Sequence, residues 1–179
     1  MEQITLNKND ELVMKLLHYF ITEMGYSPIV LHGAKDEIWL EKLNGDYQIV
    51  RIVSNYIHNN EQLNFDLFRT KQIMKQIKKK TFSINMNTLS LFVNLGDNVE
   101  INKYLHTDCV DCAEINTEKD LKKYDFIINT FPTIVKQITF KEKGIDLFMK
   151  ITSEISKKNE QESIRAEEVF KIKKTYITY

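Results

Sequence analysis

Residues 36–53 read Asp-Glu-Ile-Trp-Leu-Glu-Lys-Leu-Asn-Gly-Asp-Tyr-Gln-Ile-Val-Arg-Ile-Val, and this stretch decides the fold class. Two runs rich in apolar, β-branched and aromatic residues flank an Asn44-Gly45 dipeptide, which is a strong hairpin signal. We therefore predict two strands, Glu37–Lys42 and Tyr47–Val53, joined by a turn at 44–46. Side chains that face each other across such a pair pack together, so Trp39 and Arg51 are expected to be in contact.

Trp39, the only tryptophan, presents a conflict between strand alternation and side-chain size. Period-two alternation places it on the same strand face as Glu37 and Glu41. A sheet covered by helices on both faces can still bury it, because burial of a large aromatic contributes about 2 to 3 kcal/mol. We expect Trp39 to be buried on the sheet face that meets helix 10–24, with both acids turning outward to solvent.

Helical and strand patterns alternate around the hairpin. The spacing of apolar residues predicts helices over 10–24 and 60–80, and apolar runs predict further strands at Ser27–His32 and Leu89–Leu95. Gly25 stands where a left-handed residue ends the first helix. The first hundred residues thus follow the order α-β-β-β-α-β, which predicts an α/β (α+β) fold with a central mixed β-sheet flanked by helices. This order loosely resembles a restriction-endonuclease-like core.

The second half of the chain gives weaker signals. We predict a short helix over Thr117–Lys122, an apolar segment at Phe126–Ile138 that contains Pro132, and a helix from about Ile145 to Lys158. Residues 159–174 are strongly charged, and a lysine cluster then precedes the closing Thr-Tyr-Ile-Thr-Tyr. The prediction is one globular domain over 1–158 and a charged tether over 159–179, for which a solvated helix is the alternative. The lysine cluster and the tyrosines that follow it are typical of the approach to a transmembrane helix, and an ordinary basic tail is the alternative reading of these residues.

Composition excludes several classes of protein. Lysine plus arginine (25) equals aspartate plus glutamate (25), so contact with nucleic acid or an anionic membrane would have to be local, and no nucleic-acid partner is expected. The N-terminal residues lack the pattern of a signal peptide, and no window reaches the roughly 18 apolar residues of a membrane span. We expect an intracellular segment that folds without detergent as a monomer or weak dimer.

Cys109 and Cys112 are the only cysteines, and their Cys-x-x-Cys spacing matches half of a zinc site or a redox pair. Structural zinc takes four ligands, and no second pair of this kind exists in the chain. We therefore predict an ordinary loop that carries two reduced thiols. Metal or redox chemistry at this pair remains the alternative.

No complete catalytic motif is present. A metal-dependent nuclease of the endonuclease-like fold needs an acid followed by a (D/E)-x-K pair, whereas Glu41 is followed directly by Lys42. His18, His32, His58 and His106 are scattered, without a nucleophile motif beside them. Phosphate-binding glycine loops are also missing, so we predict no catalytic residue and no cofactor.

The Asp36–Glu41 hexapeptide carries a family resemblance, together with Ile49–Ile52, the long charged helix, the buried strand at 89–95 and Phe131-Pro132. In this order, and with the closing Lys174–Tyr179, these segments resemble the N-terminal cytosolic domain of rhomboid intramembrane serine proteases of Gram-positive bacteria. The similarity spans nearly the whole chain, and the hexapeptide is its most specific part.

The resemblance implies a non-catalytic regulatory, sensing or partner-docking domain at the cytoplasmic face of the cell membrane. The family's catalytic serine and histidine lie in later membrane helices and have no counterpart here. The implied partners are the protease's own membrane domain, membrane-protein substrates or other proteases. Relatives have been considered as divalent-metal binders, and weak binding here would draw on a set of scattered side chains: Asp36, Glu37, Asp46, His58, Asp108 and Cys109. The alternatives are a free-standing cytosolic binding protein and a degenerate metal-dependent nuclease-like domain.

Overall fold

The structure is a computed structural model that describes residues 8–31, 37–81 and 86–138. Within these ranges the α-helices are α1 (Lys8–His18), α2 (Asn60–Thr81), α3 (Asp125–Thr130) and α4 (Ile134–Ile138). A π-helical turn (Tyr19–Glu23) continues α1, and 3-10 helices cover Ile101–Tyr104 and Glu118–Lys123. The strands are β1 (Ser27–Ile29), β2 (Ile38–Glu41), β3 (Ile49–Val53), β4 (Thr88–Phe92), β5 (His106–Thr107) and β6 (Val110–Glu114).

These strands form one mixed sheet of six strands within the described residues, in the order β1-β2-β3-β4-β6-β5. The pairs at the two sides, β1 with β2, β2 with β3, and β5 with β6, are antiparallel. The central pairs, β3 with β4 and β4 with β6, are parallel. Helix α2 supplies the crossover that a parallel β3–β4 pair requires. The predicted fold class, a mixed sheet flanked by helices, is confirmed.

Two apolar clusters fill the two faces of the sheet. Because neighbouring strand residues point to opposite faces, β3 and β4, whose residues are all buried, contribute to both clusters. One face packs against α1, the second 3-10 helix, α3 and α4, and Phe131 lies edge-on to the ring of Phe20 there, with centroids 5.1 Å apart. The other face packs against α2, through Leu63 and Leu67 among others.

The hairpin and both long helices lie where the sequence predicts them, with small differences at their ends. The turn at 42–46 joins β2 to β3, and α2 covers the predicted 60–80 helix. The first helix widens into a π-turn, in which the Met24 amide donates to the Tyr19 carbonyl at 3.0 Å. Gly25 follows with φ 75°, which confirms its predicted left-handed conformation. Strand β4 ends at Phe92, before the predicted boundary at residue 95.

The prediction of an ordinary loop with two reduced thiols is right for the free thiols and for Cys109, which lies in a turn, but wrong for Cys112, which lies in a strand. Residues 106–107 and 110–114 form the antiparallel pair β5–β6, with Asp108 and Cys109 as its two-residue turn. Strand β6 also pairs along its whole length with β4, from Thr88 opposite Val110 to Phe92 opposite Glu114. A segment that looks polar in isolation therefore becomes a strand through its neighbour in the sheet.

The short helix predicted at Thr117–Lys122 is confirmed as a 3-10 helix over Glu118–Lys123. A capping box begins it, because the Asp120 carboxylate accepts from the Thr117 amide at 3.0 Å while the Thr117 side chain bonds the Asp120 backbone. The apolar segment at 126–138 forms α3 and α4, which are separated at Phe131-Pro132. The helix predicted at 145–158 and the tether at 159–179 lie outside the described residues.

Candidate functional site

A buried arginine occupies the centre of the sheet face that meets α2. The Arg51 side chain is fully buried, and its guanidinium donates two parallel hydrogen bonds to Asp66 on α2, at 2.9 and 2.6 Å. Its Nε donates a third bond to the Ser90 hydroxyl on β4, at 3.1 Å. The rings of Trp39 and Phe92 lie 5.5 Å from the guanidinium carbon. The predicted contact between Trp39 and Arg51 is thus confirmed.

A second ion pair closes this cluster toward solvent. Arg69, one turn along α2 from Asp66, pairs with the Glu37 carboxylate, which also accepts a bond from the Trp39 indole at 3.2 Å. The cavity beside Glu37 and Arg51 has a volume of about 10 Å³, the space of a single water molecule. Each of the three guanidinium nitrogens donates a hydrogen bond, and the space left among the described residues is that of one water molecule, so Arg51 joins β3 to α2 as a structural group.

The predicted environment of Trp39 is therefore half right. The side chain is 1% exposed, which confirms burial. It faces α2, however, and not the helix at 10–24, because Trp39 shares its cluster with Leu63 and Leu67. The expectation that Glu37 turns outward to solvent is also wrong, since its side chain is 12% exposed and paired with Arg69. Two arginines on this face explain why acids and a tryptophan can share it.

On the opposite face of the sheet, three side chains form a hydrogen-bonded network that was not predicted. The buried Tyr47 hydroxyl donates to one oxygen of Asp111 at 2.5 Å, and the other oxygen lies 2.9 Å from Nδ1 of the exposed His106. Burial, reinforced by the bond to Asp111, raises the pKa of Tyr47 far above its usual range. This network connects the β5–β6 pair to Tyr47, which precedes β3. Since its members are 5 and 64 residues apart, nothing in the local sequence indicates it.

The two cysteines have different environments. Cys109 is exposed in the β5–β6 turn, and Cys112 is buried in β6 on the face that meets α2. Burial raises the pKa of the Cys112 thiol to about 12, which keeps it protonated and unreactive. Cys109 has φ 59°, a left-handed conformation that is uncommon for a residue other than glycine.

The candidate metal ligands are spread over the molecule. Glu37 is paired with Arg69, Asp46 is exposed in the β2–β3 turn, and His58 is exposed next to Tyr56. Asp108 and Cys109 share the β5–β6 turn. Asp36 lies outside the described residues. Among the residues that the structure describes, no three histidine, cysteine or acidic side chains are grouped as a metal would require.

The outer face of α2 carries an exposed aromatic pair that the periodicity of the helix does not explain. Phe65 and Phe68, three residues apart and so on one face, are 68% and 62% exposed. Their departure from the buried stripe of α2 is the sequence signal that could have identified them. We call this face, with Lys71 and Lys75 beside it, the α2 outer surface.

An open cavity of about 300 Å³ adjoins this surface, between α2 and the β5–β6 turn. Its described lining includes three apolar side chains, Phe68, Met74 and Met86, and two ammonium groups, Lys71 and Lys75. Asp108 and Cys109 form part of the opposite side. This volume and this lining are typical of a site that binds part of a partner or a small ligand.

Comparison of the sequence with protein-family models and with curated proteins gives no match in either case. None of the helices in the described ranges combines the length and the apolar character that crossing a bilayer requires.

Proposed function

We propose that this chain is a non-catalytic docking and regulatory domain of a rhomboid-type intramembrane serine protease. The observation that carries the docking part is the exposed pair Phe65 and Phe68 beside the cavity. Two phenyl rings in water on one helix face are costly to leave uncovered, and exposed apolar patches with a polar rim are typical of interaction sites. The α2 outer surface is the docking site.

The buried polar groups support a structural role for the core. Arg51, Asp66 and Ser90 bond to one another, and within the described residues every buried side-chain nitrogen and oxygen has a hydrogen-bond partner. Polar groups that are already satisfied stabilise a fold and are not poised for a substrate. Chemistry is therefore assigned to the parent protein and docking to this domain.

The rhomboid part rests on the resemblance of the Asp36–Glu41 hexapeptide and the segments that follow it. A domain next to the membrane helices of a protease would regulate it by holding a substrate or partner near them. Its partners would be the protease's own membrane domain, membrane-protein substrates or a second protease, at the cytoplasmic face of the membrane. The direct test of this assignment is the coding sequence beyond Tyr179, which should encode membrane helices with a catalytic serine and histidine.

Site-specific photo-crosslinking tests the docking surface itself. p-Benzoylphenylalanine at position 68 of the full-length protein, irradiated in native membranes, should give covalent adducts. The same amino acid at Tyr56, an exposed aromatic that precedes the opposite end of α2, is the matched control. Adducts at 68 and none at 56 support the proposal, while an absence of adducts at 68 contradicts it. Analysis of each adduct by mass shows whether it contains protein or lipid.

A further inference from the structure

Positive charge is concentrated in the second half of α2, although the chain as a whole is neutral. From Leu67 to Thr81 the sequence contains lysines at 71, 75, 78, 79 and 80 and no acidic residue. Arg69 is neutralised by Glu37, and neither Lys71 nor Lys75 forms an ion pair within the part of the chain that the structure describes. Lys71 and Lys75 therefore form a local cationic surface, of the kind that attracts an anionic partner by its electric field.

The aromatic pair lies on the same side of the helix as this charge. Lys71 is three residues beyond Phe68 and Lys75 is seven beyond it, which are spacings that share a helix face. Phenylalanines on an outer helix face, bordered by lysines, are typical of helices that lie in a membrane interface. The rings enter the boundary between headgroups and acyl chains, while the ammonium groups contact lipid phosphates.

The cavity matches the same ligand chemistry. Phe68, Met74 and Met86 provide an apolar wall, and the ammonium groups of Lys71 and Lys75 line the α2 side of the space. Asp108, in the β5–β6 turn, is the one carboxylate in the described lining, so the two lysines outnumber it. An anionic phospholipid likewise carries apolar acyl chains close to a charged phosphate. The methionines add adaptability, because their unbranched side chains fit apolar groups of varied shape.

We infer that the α2 outer surface binds an anionic phospholipid membrane, with lipid phosphates at Lys71 and Lys75 and the rings of Phe65 and Phe68 in the interface. This inference rests on the proposed docking function and names the partner. An acidic protein segment is the competing partner, but carboxylates are best recognised by the two-pronged guanidinium of arginine. Arg69, the only arginine of α2, is already engaged by Glu37. The lysine ammonium group is a point charge, so it can contact phosphates whose positions are not fixed, as in a lipid layer.

Co-sedimentation of the 179-residue chain with vesicles tests this inference. The probes are vesicles of phosphatidylcholine alone and vesicles with about 30% phosphatidylglycerol, at low salt. We expect binding to the anionic vesicles only, and its loss as salt is raised. Replacing Phe68 with tryptophan adds a second readout, since its emission should shift to the blue on binding. The native Trp39 is buried and should not change.

Matched variants locate the contact. Lys71→Gln with Lys75→Gln should lower the partition coefficient roughly 25-fold, which is about fivefold for each lysine near an anionic surface. Phe65→Ser with Phe68→Ser should lower it about tenfold or more. The control, Lys119→Gln with Lys122→Gln, removes two exposed lysines elsewhere and should have little effect. All four aromatic and lysine positions are at least partly exposed, so circular dichroism should show an unchanged fold.

Several outcomes would overturn the inference. These are equal binding to neutral vesicles, no binding to anionic vesicles, and a loss in the control pair as large as in the Lys71 and Lys75 pair. If vesicles do not bind and crosslinking at position 68 still yields protein adducts, the membrane inference fails and the docking function stands. If vesicle binding and crosslinking both fail, the docking function fails as well.

Discussion

The buried pair of Arg51 and Asp66 should make the fold sensitive to the loss of a single polar side chain. Asp66→Asn keeps the size of the side chain but removes the charge that faces a fully buried guanidinium. Leaving a buried charge without its partner costs about 3 to 5 kcal/mol. A domain of this size has about 5 to 15 kcal/mol of total stability, so the substitution should remove a large fraction of it.

Replacing both partners should be much less harmful. In Arg51→Met with Asp66→Leu both charged side chains are replaced by apolar ones, and the flexible methionine can lie between the rings of Trp39 and Phe92. Desolvation of the two charges is then no longer needed, and we expect stability within about 2 kcal/mol of the parent. The double variant should thus be more stable than Asp66→Asn alone.

Urea unfolding followed by far-ultraviolet circular dichroism measures these differences, since that signal does not depend on the environment of Trp39. Glu100→Gln is the matched control, because Glu100 forms an exposed ion pair with Lys103 at 2.8 Å and its loss should leave no measurable change. If Asp66→Asn costs less than about 1 kcal/mol, or if the double variant is less stable than the single one, Arg51 is not the structural group described here.

Three further predictions concern stability and reactivity. Trp39→Ala should cost about 3 to 5 kcal/mol in chemical unfolding, because the indole is buried against α2, and a solvent-like emission of the parent would contradict this. A thiol reagent should modify the exposed Cys109 and spare the buried Cys112. In thermal or urea unfolding, Cys109→Gly should stabilise the protein by about 0.5 to 1 kcal/mol, because glycine adopts a positive φ without strain. Cys112→Ser should cost about 1 to 3 kcal/mol, because it buries a hydroxyl group. Burial raises the pKa of Asp120, but hydrogen bonds from Lys123 and two backbone amides outweigh burial, and the net effect is a lowered pKa. The parent should therefore be more stable than Asp120→Asn at neutral pH and should lose that advantage as the pH falls below about 4. A stability difference that grows in acid would refute this.

Local signals account for the parts of the fold that the sequence predicts. The Asn44-Gly45 hairpin and helix α2 are specified by residues close in the chain, through turn chemistry and apolar spacing. Strand β6 is different, because Val-Asp-Cys-Ala-Glu has little strand character and two-residue β5 pairs only with its start, whereas its pairing over the whole length is with β4, which lies much earlier in the chain. Its hydrogen bonds come from tertiary context, which a single sequence does not show.

The same limit applies to Trp39 and the candidate site. Alternation establishes that Trp39 and Glu37 share a face, but which helix covers that face depends on the path of the chain. The contact of Arg51 with Asp66 links a strand to a helix 15 residues later, and no short motif encodes it. The exposed Phe65 and Phe68 are visible in the sequence only as apolar residues off the buried stripe, whereas the cavity beside them requires the packed structure.

The borders of the sheet limit how a partner can associate with this domain. Strand β1 has three residues and includes Pro28, which has no amide hydrogen, and β5 at the other border has two residues. Backbone groups there can form very few intermolecular bonds, so an extended peptide gains little by joining the described sheet as a seventh strand. Recognition must then be achieved by side chains. Specificity can accordingly change by point substitutions on α2 while the backbone stays the same.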